Sequence, residues 1–181
     1  MSEPTTYDVV LLVEQPLSPE DAAQVRSLHQ DVEEPVRYHV LLPVDDAAAR
    51  VESAMGALAT GDALVTTPMM LEQDEVQDIQ RELLDQARQD LAGCLRVLEE
   101  AGAQANGQTV TDEPIDALAH KVQEVGAAEV IVLTRSHVVA EFFHVDWSSR
   151  ARRKLGVPVL HLLEHESFDE QAGGGEGVTG L

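Results

Sequence analysis

A short stretch near the carboxyl end of the chain differs in composition from everything before it. This stretch, residues 134–154, is called the basic segment below. It holds five of the twelve lysines and arginines of a chain with 33 aspartates and glutamates and a net charge of −21. Guanidinium groups beside hydroxyl and amide donors bind phosphates and carboxylates well. The basic segment therefore predicts an anion site, with the candidate binding residues Thr134, Arg135, Ser136, His137, Ser148 and Arg150.

The basic side chains of this segment also allow a structural interpretation. Arg152, Arg153 and Lys154 fall in the last turn of a predicted helix, where cations complement the helix dipole and pair with nearby acids. We favour that interpretation for these three residues. For Arg135 both interpretations stay open, because the end of a parallel strand is a position where ligands dock.

Catalytic and metal-binding patterns are weak in the basic segment. His137, His144 and Asp146 have the side-chain types of metal ligands, but their spacing matches no established motif. Ser136 adjoins His137 without the nucleophile elbow of a hydrolase. The sequence also contains neither Gly-x-x-x-x-Gly-Lys-Ser/Thr nor Gly-x-Gly-x-x-Gly. We therefore predict no bound metal and no catalytic residue.

The net charge disfavours two classes of partner, and the amino-terminal sequence indicates the cellular compartment. A net charge of −21 repels nucleic acid phosphates and anionic membrane surfaces. The chain begins without the basic and apolar regions of a signal peptide, and no apolar run approaches the length of a membrane span. Cys94 is the one cysteine, so no disulfide forms within the chain. We predict a cytoplasmic protein with no nucleic acid or membrane partner.

The segments that must position these residues alternate between strands and helices. Apolar runs predict strands over residues 7–13, 37–44, 104–111, 129–134 and 157–163. Helical periodicity and capping residues predict helices over residues 19–30, 47–58, 72–101, 114–125 and 146–155. This alternation predicts an α/β fold, an open parallel five-stranded sheet with helices on both faces. We predict that residues 5–164 form one such Rossmann-like domain and that the acidic, glycine-rich residues 165–181 form a disordered tail.

Ligands bind to open parallel sheets beyond the carboxyl ends of the strands, where the winding direction reverses. In this chain four such ends carry polar residues: Glu14-Gln15, Asp45-Asp46, Thr111-Asp112 and the residues from Thr134 to His137. The basic segment begins at the last of these ends. The predicted fold therefore puts it at a position suited to ligand binding.

The second half of the chain resembles the universal stress proteins. TVTDEPIDALAHKVQEVGAAEVIVLTRSH, followed by a predicted helix and GVPVLHLL, is similar to their order of strand, acidic-proline helix start, helix, buried strand and final Pro-Val-Leu strand. The front half is similar in the order of its elements. The resemblance implies a homodimer that pairs through the last strand, residues 157–163. It also places Glu14 where the family has an aspartate that contacts the nucleotide.

The chain departs from this family at the phosphate-binding motif. Members that bind ATP carry Gly-x-x-Gly, nine residues, and then Gly-Ser or Gly-Thr, and these glycines let backbone amides approach phosphates. Here Thr134-Arg135-Ser136-His137 and Val145-Asp146 stand in those places. The leading hypothesis is a non-catalytic regulatory or stress-associated protein that has lost standard ATP binding. The alternatives are a nucleotide- or anion-binding protein using Arg135 and the following helix start, and, third, an enzyme of the nucleotide-hydrolase-like class.

Overall fold

The computed structural model describes residues 6–44, 73–111, 113–134 and 153–163. Five strands run along these ranges: β1 Tyr7–Val13, β2 Val36–Pro43, β3 Gln104–Val110, β4 Glu129–Thr134 and β5 Val159–Leu163. Three helices lie wholly within these ranges: α1 Pro19–Ser27, α2 Gln73–Glu100 and α3 Pro114–Val125. Residues 153–155 are also helical. The helices predicted over 47–58 and over most of 146–155, and the tail 165–181, lie outside the described residues.

The strands form one sheet with the order β3-β2-β1-β4-β5, and every neighbouring pair is parallel. The predicted five-stranded parallel sheet is therefore confirmed. The chain moves from β1 outward to β3 on one side and then crosses back over β1 to place β4 on the other side. The winding direction consequently reverses between β1 and β4, and this junction is the switch point of the sheet.

Alternate side chains of the strands enter two separate apolar cores. One face packs on α1 and α2, where Val9, Leu11, Tyr38 and Leu133 join helix residues such as Leu98. The other face packs on α3, where the alternate strand residues Val10, Leu12, Leu41, Val130 and Val132 join Leu118 and Val122 of the helix. Since both faces of the sheet are covered there, the interior strands β1 and β4 consist mainly of continuous apolar runs rather than alternating ones.

The first helix begins as the sequence predicts and ends earlier. Ser18 and Asp21 form a capping box, with Asp21 N–H donating to Ser18 Oγ at 3.1 Å and Ser18 N–H donating to Asp21 Oδ2 at 3.0 Å. The helix ends at Ser27 rather than near Gln30. Around and after Ser27 the backbone forms turns with hydrogen bonds between residues three apart, and His29 contacts residues of β2 and β4.

The long helix α2 lies against β3, and a glycine permits that contact. A Cβ atom on Gly107 would lie 2.8 Å from Leu91 Cδ1 and 2.8 Å from the Val40 carbonyl oxygen. The helix ends before Gly102, whose φ of +79° is a left-handed conformation that glycine adopts without strain. Gly107 therefore sets how closely helix and edge strand approach.

The last strand begins two residues later than predicted, at Val159 rather than Val157. Gly156 has a φ of +69°, and Pro158 has no N–H to donate to a ladder, so the chain is still turning there. The Pro158 carbonyl oxygen accepts a hydrogen bond from Val130 N–H at 2.9 Å, which starts the pairing of β5 with β4.

None of the helices that the structure describes combines the length and the apolar character needed to cross a membrane.

Candidate functional site

Two predicted binding residues meet at the switch point of the sheet. Glu14 follows β1 directly, half-buried, and its N–H donates to the Leu133 carbonyl oxygen of β4 at 3.3 Å. Thr134 is the last residue of β4 and pairs in register with Leu163 of β5. The strand-end rule therefore brings Glu14 and the backbone of Thr134 together at the carboxyl edge of neighbouring strands.

The loop that carries Glu14 is fastened to α2. Leu17 is 6% exposed, and its N–H donates to Cys94 Sγ at 3.3 Å. Because an unpaired buried N–H costs free energy, the sulfur supplies an acceptor that this loop needs. One residue later the capping box of Ser18 begins α1. The loop between β1 and α1 is therefore held at both ends.

Side-chain carboxylates cap the N-termini of α1 and α3, the two described helices that start at the carboxyl edge. Asp21 is 1% exposed and accepts from the N–H and the hydroxyl of Ser18, the latter at 2.7 Å. At the start of α3, Glu113 accepts from Ile115 N–H at 2.9 Å and from Asp116 N–H at 3.2 Å. The free N–H groups of a helix start normally attract anions. In α1 and α3 some of these N–H groups already donate to the carboxylates of Asp21 and Glu113.

The other predicted binding residues lie outside the described ranges. They are Arg135, Ser136, His137, Ser148 and Arg150. Of the cations for which we favoured a structural role, Lys154 forms an ion pair with Asp116 of α3. This pairing with a nearby acid agrees with the structural interpretation of Lys154. Within the described residues, no cluster of three or more histidine, cysteine or acidic side chains offers a metal site.

The opposite, amino edge of the sheet holds a buried histidine network on the α1 side. His29 is 4% exposed, and its Nδ1 lies 2.8 Å from the Tyr38 hydroxyl while its Nε2 contacts a carboxylate oxygen of Glu129. The Tyr38 hydroxyl donates to the Val25 carbonyl oxygen at 3.3 Å. Burial, with the nearby Glu129, raises the pKa of Tyr38 to about 12, although Arg26 opposes that shift. The network joins the end of α1 to β2 and β4.

A second histidine network lies on the α3 side of the same edge. His39 Nε2 is 2.7 Å from Asp8 Oδ1, and His39 Nδ1 is 2.9 Å from Asn106 Oδ1. The ring therefore links the three adjacent strands β1, β2 and β3. On α3, Lys121 Nζ donates to Glu124 Oε2 at 2.7 Å, and this hydrogen bond is the main cause that lowers the pKa of Glu124.

The sequence analysis did not identify either histidine network. A usable signal existed, since Asp8, His39 and Glu129 are polar residues within otherwise apolar strands. A polar group at a buried strand position requires a partner. The sequence does not say which partner, because His29 and Glu129 are 100 residues apart.

Comparison with solved structures gives matches in overall fold, and three of them have TM-scores from 0.50 to 0.56. Hypothetical protein MJ0577 matches with a TM-score of 0.56 and 13% identity, over 89% of this chain and 99% of its own. Universal stress protein UspA from Lactobacillus plantarum matches with a TM-score of 0.53 and 12% identity, over 87% of this chain and 99% of its own. A universal stress protein family protein from Arabidopsis thaliana with AMP bound matches with a TM-score of 0.50 and 15% identity, over 90% and 94%.

The similarity lies in the three-dimensional structure. No protein-family model and no curated protein sequence matches this chain. The five-stranded parallel sheet with helices on both faces is the fold of the universal stress proteins. The resemblance inferred from the sequence is therefore confirmed at the level of the fold.

Proposed function

We propose that this protein is a non-catalytic regulatory or stress-associated protein with the universal stress protein fold, and that it has lost the family's standard ATP binding. The observation that carries the proposal is the chemistry at the carboxyl edge. Both described helix starts there are capped by the carboxylates of Asp21 and Glu113. The family resemblance implies that every glycine of the phosphate motif is replaced and that Asp146 puts a carboxylate where phosphate oxygens would lie.

Carboxylates at these positions disfavour a triphosphate for an electrostatic reason. A phosphate chain needs N–H donors or cations, and each carboxylate placed among them repels it. Glu14 adds a further acid at the switch point. The cations available to offset this charge are those of the basic segment, and Lys154 is already paired with Asp116.

A second candidate function is supported by a specific juxtaposition. Glu14 and Thr134 meet at the switch point, and a protein of the same fold has been solved with AMP bound. A nucleotide or other small anion would bind there through Arg135, Ser136, His137, Ser148, Arg150 and the helix start after β4. In this case arginine side chains replace the backbone amides of the glycine motif.

One experiment separates the two candidates. The purified protein is denatured, released adenine nucleotide is sought by absorbance and mass spectrometry, and ATP and AMP are titrated calorimetrically. We expect no released nucleotide and no binding heat. Bound nucleotide, or micromolar affinity that Arg135→Ala abolishes and Arg96→Ala on the exposed face of α2 leaves intact, contradicts the first candidate and supports the second.

We further propose that the protein is a homodimer that pairs through β5. This strand ends the described sheet, and its Leu160 is the one large hydrophobic side chain classed as exposed among the described residues, at 37%. An unpaired apolar edge strand is an aggregation hazard. A second copy of the chain pairing along β5 would provide hydrogen-bond partners for its backbone N–H and C=O groups and would bury Leu160.

A further inference from the structure

We propose that Asn106 is a site of covalent self-modification, where the backbone nitrogen of Gly107 displaces the side-chain amide once β3 separates from β2. The chain has 181 residues and a single asparagine, and a glycine follows it. Asparagine is chemically labile, and a following glycine has no side chain to shield its backbone nitrogen. The site lies on β3 and depends neither on nucleotide binding nor on a contact along β5.

The reaction balances with water as its one co-reactant. The Gly107 nitrogen attacks Cγ of Asn106 within the same chain, a C–N bond forms, and the side-chain amide leaves as ammonia with the proton that the Gly107 nitrogen gives up. Water then opens the cyclic imide at one of its carbonyl carbons. Opening at Cγ gives aspartate. Opening at the backbone carbonyl gives isoaspartate, in which the main chain runs through the former side chain.

The register of β3 leaves the attacking nitrogen outside the hydrogen-bond ladder. Val44 N–H donates to the Val110 carbonyl oxygen at 2.8 Å, so the backbone groups of Val110 face β2. In a parallel pair, the backbone groups of alternate residues face the neighbouring strand. Those of Asn106 therefore face β2, whereas the Gly107 N–H points to the outer side of β3, the end strand of the described sheet.

The group that is attacked is open to water. Asn106 and Gly107 are both exposed, and Oδ1 of Asn106 lies 2.9 Å from His39 Nδ1 on the α3 face. This contact holds the side-chain carbonyl on one face of the strand. The water needed to open the imide can reach it there.

The folded strand keeps the nitrogen and the carbonyl carbon apart. A parallel strand has ψ near about +115°, which turns the Gly107 nitrogen away from the Asn106 side chain. Ring closure needs both on the same side of the Cα–C bond, so the peptide plane must rotate out of the β region. That rotation takes the Asn106 carbonyl oxygen out of the ladder with β2, and Gly107 is packed closely against Leu91 and the Val40 backbone. The reaction therefore waits for β3 to detach.

Modification to isoaspartate makes such a detachment permanent. Isoaspartate adds one main-chain atom before Gly107, so the residues that follow no longer fall in register with β2. The hydrogen bond from Val44 N–H to Val110 lies in this displaced part of the strand. Aspartate keeps the register and puts a second carboxylate beside His39, which already contacts Asp8. The modified fraction consequently records the time that β3 has spent away from β2.

Mass spectrometry of aged protein tests the site. The purified chain is kept for days in mildly alkaline buffer, folded in one sample and in guanidinium chloride in another. Its peptides are then fragmented by a method that separates aspartate from isoaspartate. We expect both products at Asn106 in the two samples, formed at least about tenfold faster in the denatured one. Asn106→Gln, which must close a larger ring, is the control and should release little ammonia.

Two outcomes of the ageing experiment contradict the proposal. A denatured chain that keeps its Asn106 amide overturns the site itself. Equal rates in the folded and the denatured samples leave the site in place and overturn the gating by β3.

A pair of leucine variants separates detachment of β3 from unfolding of the whole chain. Leu91→Ala removes the α2 side chain that packs on Gly107 and should raise the rate in the folded sample severalfold. Leu162→Ala, at the opposite edge of the sheet, removes a side chain that is 1% exposed and should cost more stability. It should nevertheless raise the rate less. If Leu91→Ala does not exceed Leu162→Ala in rate, unfolding of the whole chain gates the reaction and local detachment is refuted.

Discussion

The two edge strands of the sheet are built differently. Strand β3 has the exposed residues Gln104, Asn106 and Gln108 on the face that packs on α3. Strand β5 has the exposed Leu160 on the opposite face, which packs on α1 and α2. Polar side chains along an edge strand oppose pairing with another chain, whereas an apolar edge strand is open to it. The difference makes β5, rather than β3, the edge at which the proposed dimer contact should be tested.

The largest effect should come from a charge on the apolar edge. Leu160→Lys places an ammonium group in the proposed contact, where desolvation and like-charge repulsion oppose pairing. We expect the dimer Kd to rise about a hundredfold, and sedimentation velocity or light scattering over a dilution series measures it.

The polar edge supplies the matched control for that substitution. Gln108→Lys adds the same charge to an exposed position of β3 and should leave the dimer Kd unchanged. If both variants weaken the dimer equally, net charge rather than the β5 edge controls assembly, and the contrast between the edges does not hold.

The attachment of β3 to the molecule should be the next most sensitive feature. Gly107→Val puts side-chain atoms within 2.8 Å of Leu91 and of the Val40 backbone, so α2 must move away from the edge. We expect the free energy of unfolding to fall by about 3 kcal/mol in urea denaturation. Gly93→Ala, where a Cβ atom meets nothing within 4 Å, should instead be stabilising by about 0.5–1 kcal/mol. A loss of stability in both variants would show that glycine itself, not the close approach, matters.

A smaller effect should come from Tyr38 in β2, the interior strand that pairs with β3. Tyr38→Phe removes the hydroxyl between His29 and the Val25 carbonyl oxygen and should cost about 1 kcal/mol. In the natural chain the folded state keeps the Tyr38 proton up to about pH 12, while the unfolded chain releases it near 10.0. The free energy of unfolding should therefore fall as the pH rises from about 10 to about 12. A Tyr38→Phe variant with the same fall would assign it to other groups.

The smallest effect should be at the ion pair before β5. Lys154 and Asp116 are both more than half exposed, and exposed pairs contribute about 0–1 kcal/mol. Lys154→Gln should change the urea midpoint by an amount near the limit of detection and leave the dimer Kd unaltered. A large loss of dimer would instead mean that this pair sets the position of the β5 edge.

Much of the fold could be predicted from local sequence. The runs at 7–13 and 129–134 are apolar at every core position, and the capping box of Ser18 and Asp21 fixes the start of α1 from four residues. One rule, that parallel strands end at the same edge, predicts Glu14 and Thr134 at the same edge of the sheet, and the structure adds that β1 and β4 are adjacent. These features depend on residue type and spacing along the chain, which can be read directly from the sequence.

Features that depend on distant partners could not be predicted. The early end of α1 follows from His29 contacting Tyr38 and Glu129, and Glu129 is a hundred residues further along the chain. The sequence predicts an acidic start for α3 but not which acid caps it, since Asp112 and Glu113 are equally plausible from composition and the structure uses Glu113. The start of β5 was predicted two residues early because apolar character outweighed the missing N–H of Pro158.

The buried contact between Leu17 and Cys94 gives this molecule a built-in kinetic probe. Cys94 is the chain's one cysteine. It lies on α2, is fully buried, and contacts the loop that carries Glu14. A thiol reagent reaches it only during moments when that loop and the helix separate, so the labelling rate reports how often they separate. A small molecule that occupies the carboxyl edge would slow the labelling. Screening for ligands would then need neither a known activity nor an engineered label.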